Sequence, residues 1–172
     1  MSGQMLILVT GLIGSGKSEV CRILQRKGFP VYDSDSRTKA LYNGELAEEI
    51  KEKVGFDLAH LYQIFDFPEK LLELEKMVHP RVLDDFREFA SASGAKVVFF
   101  ESAIAAEKPL FAKEFDKVLL VRADRDLRLS RNPKASGRED FQKEPDRFDF
   151  LIENNGSIEE LEHKVDLILR QL

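Results

Sequence analysis

Eight residues near the start of the chain, Gly11 to Ser18 (GLIGSGKS), constrain the fold more than any other stretch, because they discard side chains between two strongly patterned segments. Met5 to Thr10 is a short apolar run that reads as a buried strand, and Glu19 to Lys27 has helical spacing. The stretch is therefore a strand-to-helix turn. Gly11, Gly16, Lys17 and Ser18 satisfy the pattern GxxxxGK[ST] in the setting that the pattern requires. Without Cβ atoms the backbone can wrap around an anion and aim N–H groups at it, while the positive end of the following helix faces the same point. In such a turn the lysine, here Lys17, serves the β- and γ-phosphates of a nucleotide, and the hydroxyl, here Ser18, offers an oxygen to Mg²⁺. A merely flexible glycine turn needs neither residue. A dinucleotide-binding turn needs GxGxxG, and Ile13 stands where its second glycine would be.

The 172 residues suffice for one sizeable core, so one main domain with a small inserted lobe is expected. No signal peptide is recognised, and the apolar runs are far below membrane-spanning length, which points to a soluble chain with no membrane partner. A formal net charge of −5 without a basic run of five or six residues gives no footprint for nucleic acid. The single cysteine, Cys21, cannot form an intramolecular disulfide; this fits a reducing, cytoplasmic location, and its apolar neighbours place it on a core-facing helical position.

Apolar runs alternate with helical patterns along the chain. The expected strands are Met5 to Thr10, Pro30 to Asp33, Lys96 to Glu101, Lys117 to Arg122 and Phe148 to Glu153, and their unbroken apolar character (VVFF, VLLV, FLI) suits a parallel sheet covered on both faces. The fold class expected is α/β, a three-layer phosphate-loop architecture with five parallel strands, in which residues 1–33 and 95–172 form the core and residues 34–94 a helical insertion. Within the insertion, Ser34 and Asp35 cap a helix through about Tyr42, Glu45 to Val54 is helical, Pro68 opens a helix to Met77, and a new helix starts after Pro80 and ends at Gly94. Ser157 and Glu160 form a capping box for a last helix that runs to Leu172.

A nucleotide loop serves GTPases, motors and small kinases alike, but the chain has no NKxD or DxxG motif beyond the loop. Its next strand lies in GFPVYDSDSRTKAL, where a short run delivers Asp33 and Asp35 to the carboxyl edge of the sheet, the edge at which ligands of open α/β sheets gather. An acid at the tip of a strand adjacent to the loop can face a phosphoryl acceptor.

At this point VTGLIGSGKSEVCRILQRKGFPVYDSDSRTKAL resembles the opening of dephospho-CoA kinases, which phosphorylate the ribose 3′-hydroxyl of dephospho-CoA in the last step of coenzyme A synthesis. LEKMVHPRV, VVFFESAIAAE, VRADRDLRLSR and FDFLIENNGSIEEL resemble later segments of the same family, so the likeness touches most of the chain. The resemblance implies ATP and Mg²⁺ as cofactors and dephospho-CoA as substrate. A monomer or small homo-oligomer is expected. The resemblance also places the family's catalytic aspartate on Asp35, with Asp33 and Lys39 toward the substrate, Lys39 standing where the family usually has arginine. Gly11, Ile13, Gly14, Ser15, Gly16, Lys17, Ser18 and Glu19 would hold the nucleotide, joined by Arg131 and by Asn154 on the adenine side. Glu101, with Ser18, would serve the metal and border the substrate, although Ala103-Ile104-Ala105 replaces the family's proline-leucine-leucine run. His79 would belong to an acceptor-binding lobe, and Arg138, with Gln142 at the family's spacing, would be a catalytic lid arginine. The resemblance implies a phosphate-loop NTPase fold of the nucleotide-kinase type, with the insertion as acceptor-binding lobe and residues 132–147 as a short lid; insertion and lid are both shorter than the family pattern. The alternatives are another small-molecule or nucleoside monophosphate kinase, which fold alone cannot separate, or a non-catalytic nucleotide-binding relative whose lid no longer closes.

Overall fold

The computed structural model describes residues 3–138 and 142–172, with Leu58 and Arg138 described by their backbone alone. Five strands, β1 (Met5–Thr10), β2 (Val31–Asp33), β3 (Val97–Glu101), β4 (Lys117–Arg122) and β5 (Phe150–Glu153), form one sheet in the order β2-β3-β1-β4-β5. Every pairing is parallel. All five runs expected from the sequence are strands, trimmed by one or two residues at some starts. The order corrects one expectation: β3 lies between β1 and β2, so the acids after β2 stand one strand away from the strand that feeds the glycine turn.

Both faces of the sheet are covered. On one, Ile7 and Val9 of β1 with Leu119 and Val121 of β4 meet Val20, Ile23 and Leu24 of α1 (Lys17–Arg26) and Leu161 and Val165 of α8 (Ile158–Leu169). On the other, Leu8, Val98 and Phe100 meet the insertion. The alternation along β1 follows from the two-residue period of a strand: odd positions face α1 and even positions the insertion. Ser157 caps α8 by accepting from the Glu160 N–H at 3.2 Å, as the capping box requires.

The insertion consists of α2 (Ser34–Asn43), α3 (Ala47–Val54), a 3-10 stretch (Leu58–Asp66) and α4 (Pro68–Ser93). Two expectations are corrected by it. Asp33, not Ser34 or Asp35, caps α2: its carboxylate accepts from the N–H groups of Asp35 at 3.1 Å and Ser36 at 3.2 Å. The two helices expected on either side of His79-Pro80 are one, with Pro80 inside it. Proline removes one helical hydrogen bond. The apolar stripe Leu74, Val78, Val82, Phe86 and Ala90 nevertheless stays in register across Pro80 at four-residue spacing, and all five side chains are buried. Burial on both sides of the proline outweighs the lost bond. At the far end Gly94 adopts a left-handed conformation that closes the helix.

The remaining helices are short: α5 (Pro109–Ala112), α6 (Arg125–Arg131) and α7 (Ala135–Arg138). No helix among the described residues is long and apolar enough to cross a membrane. Phe86 is wholly buried and meets Tyr32, Phe100 and Phe115 ring to ring, with centroids 5.3, 4.9 and 6.0 Å apart. The variant Phe86→Ala should therefore lose about 3–5 kcal/mol of stability, measured by denaturant unfolding with Ile168→Val, at the edge of the opposite layer, as a mild control.

Candidate active site

The turn after β1 is built by what presses on it and what pulls on it. A Cβ on Gly14, at φ +82°, would lie 2.9 Å from the Arg128 Cα of α6, and one on Gly16, at φ +102°, would run into the Asn154 side-chain amide. A Cβ on Gly11 would meet the Val121 carbonyl at the end of β4. The glycines are needed because neighbouring chain comes this close.

From behind, the turn is pinned through its carbonyls. Asn154 Nδ2 donates to the Ser15 carbonyl at 3.0 Å, and Arg131 Nη1 donates to the carbonyls of Gly14 at 3.3 Å and Ser15 at 3.4 Å. Arg131 Nη2 also donates to the Asn154 carbonyl at 2.8 Å, so the two pinning groups hold each other. In a trans peptide the C=O and the following N–H point in opposite directions. Fixing the Ser15 carbonyl thus turns the Gly16 N–H toward the concave side. Among the described residues, the N–H groups of Gly14, Gly16, Lys17 and Ser18 find no acceptor, and the buried Ser15 hydroxyl has no partner either. Such a cluster of donors at a helix N-terminus is an anion site. The Ile13 N–H is occupied by Gln142 Oε1 at 2.7 Å, a contact that ties residue 142 to the turn.

Acidic and basic groups converge beside these donors. The Ser18 hydroxyl donates to Glu101 Oε1 at 2.9 Å, at the tip of β3. The Ser34 hydroxyl donates to the Glu101 carbonyl at 2.6 Å and thereby joins the start of α2 to the same strand tip. Burial holds the Lys17 ammonium below its ordinary value, while the Glu101 and Asp35 carboxylates pull it back up, which places both acids within electrostatic reach of the lysine. Beneath them Cys21 is buried, and burial together with the Glu101 charge pushes its thiol far above the usual range. Glu19, on the first turn of α1, is paired with Arg22 at 2.6 Å.

The structure thus brings together Gly11, Ile13, Gly14, Ser15, Gly16, Lys17, Ser18, Glu101, Asp35, Arg131 and Asn154. Asp33 is engaged as a helix cap, accepting also from the Ser36 hydroxyl at 2.8 Å. Lys39 is exposed one turn beyond Asp35 on α2. His79 stands apart in α4, its ring edge-on to Phe111 at 5.1 Å, with Glu75 and Lys108 as its charged neighbours. Arg138 ends α7, and its side chain lies outside the described residues. The contacts of Arg131 and Asn154 with carbonyls and of Gln142 with an N–H join segments far apart in sequence. The family resemblance is the signal that names Arg131, Asn154 and Gln142, and no local pattern names the backbone groups they hold.

An open parallel sheet with an anion-binding turn after its first strand, helices on both faces and acids at the carboxyl edge defines a phosphate-loop kinase of small molecules. The shikimate kinase of Aquifex aeolicus has a similar fold, with a TM-score of 0.56 at 18% identity over 97% of each chain. The family model of dephospho-CoA kinases matches residues 5–160. The dephospho-CoA kinase of Fusobacterium nucleatum is 31% identical over 189 aligned positions, covering 94% of this chain and 95% of the relative. The crystal structure of TT1252 from Thermus thermophilus superimposes with a TM-score of 0.84 at 32% identity over 98% of both chains. The chain belongs to the dephospho-CoA kinase family.

Replacing Gly14 by alanine combines left-handed strain of about 1–3 kcal/mol with contact against Arg128. ATP affinity should fall about tenfold or more, as read by calorimetric titration. Burial also depresses the His79 pKa, so between that lowered value and about pH 6.5 the unfolded chain binds more protons than the folded one. Stability should accordingly fall as pH is lowered from 7 through this window. His79→Gln should flatten that slope in unfolding measurements made at several pH values.

Proposed function

We propose that this chain transfers the γ-phosphoryl group of ATP to the ribose 3′-hydroxyl of dephospho-CoA, with Asp35 as the acid that receives the acceptor hydroxyl. The observation that carries this reading is the convergence of open N–H groups, Lys17, the Ser18–Glu101 pair and Asp35 at one edge of the sheet.

The turn grips the triphosphate through the N–H groups of Gly14, Gly16, Lys17 and Ser18, and the Lys17 ammonium spreads over its terminal oxygens. Arg131 and Asn154 act on the nucleotide through the turn, since their donors hold its carbonyls. Ser18 and Glu101 are the residues for Mg²⁺. A hydroxyl and a carboxylate 2.9 Å apart suit a cation that completes its shell with water and phosphate oxygens. Among the described residues no cluster of three acidic, histidine or cysteine side chains offers an all-protein cage. Bound there, Mg²⁺ would neutralise charge on the transferring phosphoryl group.

Asp35, exposed on the first turn of α2, accepts the hydrogen bond of the attacking hydroxyl and orients it in line. Asp33 contributes by capping that turn, and Lys39 lies one turn on, where it can meet substrate phosphate. We assign residues 34–94 to the acceptor side and residues 132–147 to a lid, with Arg138 as its cation. For His79 the ring contact with Phe111 supports a structural part in the acceptor lobe. Catalysis here is placement and charge neutralisation more than covalent chemistry. A cytoplasmic location fits a kinase that draws on cellular ATP.

The test is purified protein with Mg-ATP and dephospho-CoA, with product followed by chromatography beside a panel of other hydroxyl acceptors. Coenzyme A should form, turnover should cease when EDTA removes Mg²⁺, and Asp35→Asn should lower kcat by about 10²–10⁴-fold while ATP binding stays within a factor of about three. Turnover on another acceptor alone, or ATP binding with no turnover on any, would reject the assignment.

A further inference from the structure

The helix that carries Asp35 has little apolar hold on the rest of the molecule. Of the ten residues of α2, Ser34 alone is buried, and of its apolar side chains only Leu41 and Tyr42 at the far end rest partly buried against the core. Its first turns are held instead by polar ties. Two of these are the Asp33 cap and the bond from Ser34 to the Glu101 carbonyl.

A third comes from α4. The Asp85 carboxylate receives a two-pronged bond from Arg37, with Nε to Oδ2 at 2.8 Å and Nη2 to Oδ1 at 2.7 Å. The same Oδ2 accepts from the Tyr32 phenol at 2.7 Å. Tyr32 is 1% exposed and is wedged among Phe86, Phe89 and Phe100, so its hydroxyl is a fixed post. Tyr32 immediately precedes the capping Asp33, and Arg37 lies two residues beyond Asp35. One carboxylate therefore grips the chain on both sides of the acid.

We propose that Asp85 is a positioning residue for phosphoryl transfer: by holding Tyr32 and Arg37 together it fixes the first turn of α2 and with it the direction in which Asp35 is presented. The inference rests on Asp35 receiving the acceptor hydroxyl, as proposed for this chain. Two-pronged pairing sets a plane as well as a distance, which a single lysine contact would not do. The bonds from Arg37, and then from Tyr32, hold the Asp85 carboxyl below the usual carboxylate range, so the clamp stays charged at neutral pH. Because in-line transfer is sensitive to displacements of about 1 Å, loosening this turn costs about a hundredfold in rate at the upper end.

The experiment measures kcat and both KM values for D85N, R37Q, D35N and the double variant D35N/D85N, with the residual rates read at high enzyme concentration. D85N and R37Q should each lower kcat about tenfold or more with the KM for ATP changed less than about twofold. D85E should restore part of the rate, and D85N should cost nothing further in the D35N background. Should D85N fail to fold, R37Q and D35N/R37Q carry the same comparison, since Arg37 is exposed. A wild-type kcat in D85N and R37Q, or an equal loss with and without Asp35, overturns the inference and leaves Asp35 in its role. A wild-type kcat in D35N overturns the reading of Asp35 and the inference with it.

Discussion

The site depends on the pinning of one carbonyl. The Ser15 peptide is held from behind by Asn154 and Arg131, which also hold each other, and this fixes the direction of the N–H that comes after it. Glycines permit the turn but do not choose its shape. The choice is made by α6 and by the loop after β5, so the first and last strands of the core cooperate in a single peptide orientation. The guanidinium of Arg131 suits the task because it donates without bringing an acceptor that would compete for the turn's own donors, and Asn154 turns its Nδ2 donor, without a charge, to the same carbonyl.

The acids at the opposite side of the site are arranged differently. Glu101 closes a strand in the middle of the sheet, backed by Ser18 and Ser34, and inherits the rigidity of β3. Asp35 sits on a helix with one buried residue and depends on side-chain ties. The turn after β1 is thus fixed by strand pairing together with the bonds from Asn154 and Arg131, and the start of α2 by the Asp33 cap, the Ser34 hydroxyl and the Arg37–Asp85 pair.

The local part of this arrangement is legible in the sequence. GLIGSGKS announces its turn because the conformation needs residues without side chains followed by a lysine and a hydroxyl, and the apolar runs announce strands because both faces are covered. The long helix is misread because the rule for proline is local, whereas the stripe from Leu74 to Ala90 at four-residue spacing carries the helix through Pro80. That spacing is present in the sequence and outweighs the proline once it is traced across the break. The groups that shape the turn and the clamp on α2 are hidden for another reason. Asn154 lies 139 residues from Ser15, and Asp85 lies 48 residues from Arg37, so nothing in local pattern pairs them. Asn154 and Arg131 are singled out only by the family resemblance, and Asp85 by nothing in the sequence, until the sheet order brings their partners near.

Cys21 lies directly under the acidic cluster, buried on α1 with its thiol held protonated by the low-dielectric surroundings and the Glu101 charge. It is the only cysteine of the chain. Maleimides and similar reagents need an accessible thiolate, so the native protein offers them no reactive handle. A fluorophore or spin label can be installed at an engineered surface thiol while the native sulfur stays in place, and movements of the insertion can be followed in an otherwise unaltered chain.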